Sequence, residues 1–190
     1  RIQGDRAYNL EQAINYCEQS LKVYTPEAFP EQWATTQNNL ANAYNNRIQG
    51  DRAENLEQAI EHYNQALIVY MPETFPMGWA MTQNNLATVY NDRIKGDRAE
   101  NLEQAIEHYN QALKIYTQKD FPTDWAATQN NLAAAYNNRI RGDRADNIEQ
   151  AIEHYQQALK VYTQKDFPAN WAANQNNLAV AYIGRIRGDR

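Results

Sequence analysis

The chain has 190 residues, and its 23 Asn and 18 Gln contribute to a mean hydropathy of −0.85. Such polarity is typical of disordered chains, but 13 Tyr and 4 Trp supply large apolar surfaces that disordered chains usually lack, so we expect a folded protein with a thin core. The formal net charge of −5 leaves no basic surface to neutralise phosphates, and we therefore expect neither a nucleic-acid nor a membrane partner.

Cysteine and histidine usage predicts neither a disulfide nor a metal site. Cys17 is the only cysteine, and His62, His108 and His154 are 46 residues apart, too widely spaced for two of them to hold one metal ion. We expect no cofactor and a reducing, cytoplasmic compartment. No run of about 18 apolar residues indicates a membrane span, and no secretory leader opens the chain. Because the chain starts at Arg1 and not at Met, we expect it to be a segment of a larger protein.

An internal repeat of 46 residues organises the whole chain. The string RIQGDRA begins at Arg1 and at Arg47, and its variants begin at Arg93, Arg139 and Arg185. The sequence therefore predicts a single repeat array over residues 1–190, with repeats at 1–46, 47–92, 93–138 and 139–184 and a partial repeat at 185–190.

Each repeat predicts two helices, called B and A in their order along the chain. Helix B is expected near 9–24, 55–70, 101–116 and 147–162, and helix A near 30–48, 76–94, 122–140 and 168–186. In the second repeat Asn55 and Gln58 form a candidate capping box for helix B, while Asp51 and Glu54 offer an alternative start one turn earlier. Each helix A is expected to begin at the proline of a Phe-Pro pair, because proline suits the first helical turn. Gly50 follows the first helix A as a left-handed stop.

Both helices have a continuous apolar face. At about 100° per residue, the apolar side chains of helix A fall within an arc of about 120°, and helix B has a comparable stripe. The helix A face comprises Trp33, Ala34, Leu40, Ala41, Tyr44 and Ile48, and the helix B face comprises Leu56, Ala59, Ile60, Tyr63, Ala66, Leu67 and Tyr70. One helix pair cannot bury both faces by itself, so we expect the repeats to stack.

The order of these residues resembles the tetratricopeptide repeat family. The family pattern of Leu, small residue and aromatic on helix A, then Ala, aromatic and Ala on helix B, is matched by Leu40, Ala41, Tyr44, Ala59, Tyr63 and Ala66, and recurs in the next two repeats. The longer repeat and its NNLA string are similar to the kinesin-light-chain type and to arrays in bacterial multidomain signalling proteins. The resemblance implies an all-α, right-handed α-solenoid of stacked antiparallel helix pairs, in which helix A lines a concave groove that binds proteins or peptides.

The face of helix A opposite its apolar arc is almost entirely asparagine. Exposed asparagine gives up helix propensity, and side-chain amides can pair with the backbone of an extended peptide without reading its side chains. We therefore predict a peptide-binding groove lined by Asn38, Asn39, Asn42, Asn46, Asn84, Asn85, Asn130, Asn131, Asn176 and Asn177. The alternative for the inner positions, especially Asn38 and Asn45, is a hydrogen bond to the neighbouring helix that stabilises the stack.

The other recurring polar residues are interpreted as structural. Gln37, Gln83, Gln129 and Gln175 fall inside the apolar arc and must be paired if they are buried. The three histidines are predicted to be surface residues of helix B. Arg47, Asp51 and Arg52 are predicted to place alternating charges along one exposed edge of the stack.

These patterns favour a binding protein over an enzyme. The chain offers no nucleophile with a base, no paired carboxylates in a cleft and no glycine-rich phosphate loop, so we expect no catalytic activity. The leading hypothesis is a non-catalytic scaffold that binds proteins or peptides in the asparagine-lined groove. Because no polar capping helix is visible at either end, the alternative is a structural repeat protein that associates head to tail.

Overall fold

The computed structural model describes residues 5–188, with side chains described through Arg185. This part of the chain contains helices and no strands. The helices are α1 (Arg6–Ser20), α2 (Pro30–Asn46), α3 (Arg52–Val69), α4 (Pro76–Asp92), α5 (Arg98–Ala112), α6 (Pro122–Asn138), α7 (Arg144–Ala158) and α8 (Pro168–Gly188). The odd-numbered helices are the predicted B helices and the even-numbered ones the predicted A helices.

The helices pack in chain order within two compact units. The N-terminal unit ends at Gly96 and the C-terminal unit begins at Asp97. In the N-terminal unit α2 contacts α1, α3 and α4, and in the C-terminal unit α6 contacts α5, α7 and α8. The predicted all-α class, with successive helices packed against one another within each unit, is confirmed.

The helix starts follow from capping chemistry. Pro30, Pro76 and Pro122 occupy the first turns of α2, α4 and α6, as predicted. For α3, the alternative start is correct and the one at Asn55 is wrong, because the Asp51 side chain accepts the backbone N–H of Glu54. Asn55 instead lies within α3 and donates from Nδ2 to the carbonyl oxygen of Gln49 at 2.8 Å.

The helices α2, α4 and α6 end two residues earlier than the sequence predicts, whereas α8 continues to Gly188, two residues beyond its expected end. The helix α2 ends at Asn46, two residues before the expected end, and Gly50 has φ of +78°. Ile48, which we expected in the buried arc, is 58% exposed because it lies beyond the helix end. Gly50 and its counterparts Gly96 and Gly142 have the positive φ that glycine adopts without steric cost, which confirms the predicted left-handed stop.

The core of the N-terminal unit forms where the A and B helices cross. Leu56 and Tyr63 of α3 pack with Ala41 of α2 and Leu86 of α4 in one cluster. Small alanines at such crossings allow the helix axes to approach closely. In the C-terminal unit Ile148 and Tyr155 of α7 pack in the same way with Ala133 of α6 and Ala181 of α8. The predicted stacking of helix faces is therefore present within each unit.

Candidate peptide-binding surface

The predicted asparagines lie on adjacent A helices within each unit, but they differ in exposure. Asn39, Asn46 and Asn176 are exposed, and Asn38 is buried. The remaining positions are half-buried: Asn42, Asn84, Asn85, Asn130, Asn131 and Asn177. We call the set without Asn38 the amide surface, with Asn39, Asn42, Asn46, Asn84 and Asn85 in the N-terminal unit and Asn130, Asn131, Asn176 and Asn177 in the C-terminal unit.

Asn38 does not belong to an open groove. It is 2% exposed, and its Oδ1 lies 3.2 Å from the Thr82 hydroxyl, whose single proton is shared with the carbonyl oxygen of Gly78 at 2.7 Å. The side chain therefore joins α2 to α4, which is the alternative considered for the inner positions. Asn45 also has a structural partner, since its Oδ1 accepts from Nη2 of Arg52 at 3.3 Å. The groove prediction is thus corrected at Asn38, because the neighbouring A helix covers that side chain.

A hydrogen-bond network holds the amide surface of the N-terminal unit. Oδ1 of Asn42 accepts from the Tyr63 hydroxyl at 2.8 Å and from Nδ2 of Asn85 at 3.5 Å. Nδ2 of Asn84 donates to Oδ1 of Asn85 at 3.5 Å. Tyr63 is fully buried, and desolvation raises the pKa of its hydroxyl, so it stays protonated and donates to Asn42. The network gives the amides of α2 and α4 fixed positions.

The C-terminal unit has a related network with different residues. Nδ2 of Asn130 donates to Oδ1 of Asn131 at 3.4 Å, and Nδ2 of Asn174 donates to Oδ1 of Asn130 at 3.3 Å. Asn174 stands at the repeat position that Thr82 occupies in the N-terminal unit. The same contact between A helices is therefore made by a Thr–Asn pair in one unit and by an Asn–Asn pair in the other.

The recurring glutamines pair with the histidines of the B helices. Oε1 of Gln37 accepts from Nδ1 of His62 at 2.7 Å, and Gln129 makes the same bond to His154 at 2.6 Å. Gln37, Gln83 and Gln129 are buried, which supports their structural role, whereas Gln175 in α8 is exposed.

The histidines are not surface residues, so that prediction was wrong. Each is half-buried, and His62 stacks on Tyr44 with ring centroids 5.5 Å apart. His154 stacks on Tyr136 in the same way, with centroids 5.4 Å apart. Desolvation lowers the pKa of all three imidazoles.

A recurring ion pair between arginine and glutamate was not predicted from the sequence. Nε and Nη2 of Arg47 each donate to one carboxylate oxygen of Glu11 at 2.8 Å, and the guanidinium lies 5.6 Å from the Tyr44 ring centroid. The hydrogen bonds from Arg47 lower the pKa of the Glu11 carboxyl. The same bidentate pair recurs as Arg93–Glu57 and Arg139–Glu103. A search for charges that recur 36 positions apart could have found it.

The described residues offer hydrogen bonding and no ligand set for a metal. Among residues 5–188, no group of three or more His, Cys, Asp or Glu side chains could hold a metal ion. None of the helices in this part of the chain combines the length and the apolar composition that crossing a bilayer requires. The amide surface can donate and accept hydrogen bonds at neighbouring points, which is the chemistry of peptide-backbone recognition.

Two family models match the chain. The model described as soluble NSF attachment protein, SNAP, matches residues 77–188, which include α5 to α8 and nearly all of α4. The model described as tetratricopeptide repeat matches residues 33–67, within α2 and α3. No curated protein matches the chain. The tetratricopeptide match covers all six residues that carry the resemblance in this repeat, Leu40, Ala41, Tyr44, Ala59, Tyr63 and Ala66.

Proposed function

This chain belongs to the soluble NSF attachment protein family of tetratricopeptide-type repeats, whose model matches more than half of it, and we propose that it binds an extended peptide along the amide surface. Repeat families of this type are protein-interaction scaffolds that bind proteins or peptides. In this role the chain acts as a non-catalytic scaffold.

The observation that carries this proposal is the recurrence of partly or fully exposed asparagine on successive A helices. Asn39 and Asn85 occupy the same repeat position in the N-terminal unit, and Asn131 and Asn177 occupy it in the C-terminal unit. An amide at this position offers both a donor and an acceptor, which matches the N–H and C=O groups of a peptide backbone. Identical chemistry at each repeat suits a backbone or a repetitive polymer better than a unique surface.

The ordering of these amides supports binding at low entropic cost. Asn42, Asn84 and Asn85 are linked by hydrogen bonds before any ligand arrives. Side chains that are already ordered lose little rotamer freedom on binding, so less of the interaction energy is spent on immobilising them.

The test compares amide variants with matched asparagines elsewhere. A panel of extended peptides is titrated against the unmodified chain and against a triple variant carrying Asn39→Ala, Asn85→Ala and Asn131→Ala. We expect the triple variant to weaken binding by about tenfold or more, since each lost neutral hydrogen bond contributes about 0.5–1.5 kcal/mol. The control carries Asn64→Ala and Asn110→Ala, two exposed asparagines of the B helices. Equal affinity of the triple variant and the unmodified chain would remove the amide surface from the binding site.

A second candidate function is head-to-tail self-association. Tyr8 and Tyr16 of α1 and Val180 and Ile183 of α8 are exposed large hydrophobic residues. Two apolar faces on different helices can join copies of the chain by a heterologous contact, which grows into filaments if it does not close. Sedimentation velocity over a concentration series tests this candidate. Mass should rise with concentration, and Tyr16→Glu should suppress the rise, whereas a monomer at every concentration would refute it.

A further inference from the structure

Two neighbouring cavities in the N-terminal unit share one carboxylate. The first is an open depression of about 240 Å³ beside Tyr24 and Thr35, and the second is an open depression of about 300 Å³ beside Tyr70, Phe75 and Met77. Glu31, in the first turn of α2, lines both of them. We call this pair, with Glu31 at its centre, the Glu31 cavities.

The wall between the cavities is ordered by hydrogen bonds. Tyr70 is 6% exposed, and its hydroxyl oxygen lies 2.7 Å from Oγ1 of Thr35. Oγ1 of Thr35 donates its single proton to the carbonyl oxygen of Glu31 at 2.8 Å, so the Tyr70 hydroxyl is the donor to Thr35. The ring and hydroxyl of Tyr70 are therefore held in place without a ligand.

Gly78 allows the Tyr70 ring to occupy this position. A Cβ atom added at Gly78 would lie 2.9 Å from the ring, closer than real Cβ contacts come. The other repeats carry Gln32, Asp124 and Asn170 at this position. Gly78, which lines the second cavity, is therefore a residue particular to this repeat.

The charge around the cavities is also particular to the N-terminal unit. Glu31 is replaced by Met77, Thr123 and Ala169 in the other repeats. The loops before α2 and α4 carry Glu27 and Glu73, and the corresponding loops of the C-terminal unit carry Lys119 and Lys165. Glu27, Glu31 and Glu73 are exposed, and no ion pair joins any of them to another described residue. The lining of the two cavities thus contains one carboxylate, Glu31, together with aromatic rings, and this carboxylate has no ion-pair partner among the described residues.

We propose that the Glu31 cavities bind a lysine or arginine side chain of a partner peptide. The cation pairs with the Glu31 carboxylate, and the aliphatic stem lies against the rings of Tyr70 and Phe75. An aromatic wall adds a favourable contact with a cation. A cation offers charge complementarity here, whereas an anionic side chain would be repelled by the Glu31 carboxylate.

This surface is separate from the amide surface. Glu31 precedes Asn39 by eight residues of the same helix, which corresponds to about 12 Å along the axis. The Glu31 cavities therefore add a side-chain specificity that does not depend on backbone recognition by asparagine.

The experiment measures the fluorescence anisotropy of dye-labelled hexalysine and of its fully acetylated counterpart at roughly physiological salt, where long-range attraction is screened. Glu31→Gln should weaken hexalysine binding by about tenfold, because a charge-assisted hydrogen bond is lost. Met77→Lys should weaken it at least as much, because the new ammonium group lies beside Glu31. Glu61→Gln removes the same charge from an exposed position of α3 and should change the affinity less than about twofold.

Three results would overturn this assignment. Equal losses for Glu31→Gln and Glu61→Gln would show that only net charge matters. Acetylated hexalysine that binds as tightly as hexalysine would show that no cation is recognised. If Asn39→Ala weakened hexalysine binding as much as Glu31→Gln does, the peptide would be assigned to the amide surface and not to the Glu31 cavities. Hexalysine binding that survives Asn39→Ala supports the cavities whatever the outcome for the amide surface.

Discussion

Neighbouring asparagines of α2 occupy opposite environments. Asn38 is buried against α4 and bonded to Thr82, whereas Asn39, the next residue, is exposed. Consecutive residues of a helix point about 100° apart, so a single position separates an interface from solvent. Identical side chains in one NNLA string therefore have different roles.

This difference predicts different costs for two matched substitutions. Asn38→Ala and Asn39→Ala bring the same gain in helix propensity, but only the first removes a buried hydrogen-bond acceptor. We expect Asn38→Ala to be less stable than Asn39→Ala by about 1 kcal/mol in free energy of unfolding. Urea denaturation followed by circular dichroism measures both values. Two variants of equal stability would contradict the buried contact.

Helix faces are shared between successive elements of the N-terminal unit. Leu86 of α4 is completely buried and packs in one cluster with Leu56 and Tyr63 of α3 and Ala41 of α2. A side chain in such a cluster packs together with residues of three helices. Its loss should destabilise the whole unit, since the interfaces between repeats supply much of the stability of such arrays.

Leu86→Ala is expected to destabilise the chain by about 2–5 kcal/mol, because it leaves a cavity that close-packed neighbours cannot fully close. Ile48→Ala is the matched control, since it removes apolar atoms that are already 58% exposed, and it should change stability by less than about 0.5 kcal/mol. Chemical denaturation midpoints and slopes measure both. Similar effects of the two changes would show that the buried face has been assigned wrongly.

Two kinds of titratable group recur along the chain with shifted pKa values: glutamates bonded to arginine, and half-buried histidines. Glu11, Glu57 and Glu103 each have a carboxyl pKa below the ordinary 4.5, chiefly because of hydrogen bonds from arginine. The three histidines have imidazole pKa values below the ordinary 6.5, chiefly because of desolvation. In both groups the unfolded chain binds protons more readily than the folded one, so stability falls as pH falls.

The two groups should lose stability in different pH windows. The histidines' contribution to the free energy of unfolding is lost as the pH falls through and below 6.5. The carboxylates' contribution to it is lost as the pH falls through and below 4.5. We expect the free energy of unfolding to decline in both windows. Replacing the three histidines by glutamine should abolish most of the decline in the free energy of unfolding below pH 6.5 and leave the decline below pH 4.5 unchanged. An unchanged decline in the triple variant would contradict the burial of the imidazoles.

Predictions from sequence succeeded where the responsible residues are close along the chain. Helix starts at Pro30 and Pro76 and the positive φ of Gly50 are set by a few neighbouring residues. The choice between Asp51 and Asn55 as the cap of α3 was left open, because both residue types cap helices well. The structure decided it: Asp51 caps the helix, and Asn55 lies in the first turn of α3 with its side chain bonded to Arg47 and Gln49.

Periodicity was sufficient to establish the helix pairs and, except at Ile48, their apolar faces, since the 46-residue recurrence shows which positions face the same way in every repeat. Packing determined which amides face solvent, which histidines are covered and which carboxylate meets Arg47. Those contacts join residues that are 25 to 44 positions apart, as in Gln37–His62, Glu11–Arg47 and Asn38–Thr82. Such pairs meet only when helices stack, and no local pattern of hydrophobic and polar residues specifies which partner each side chain will find.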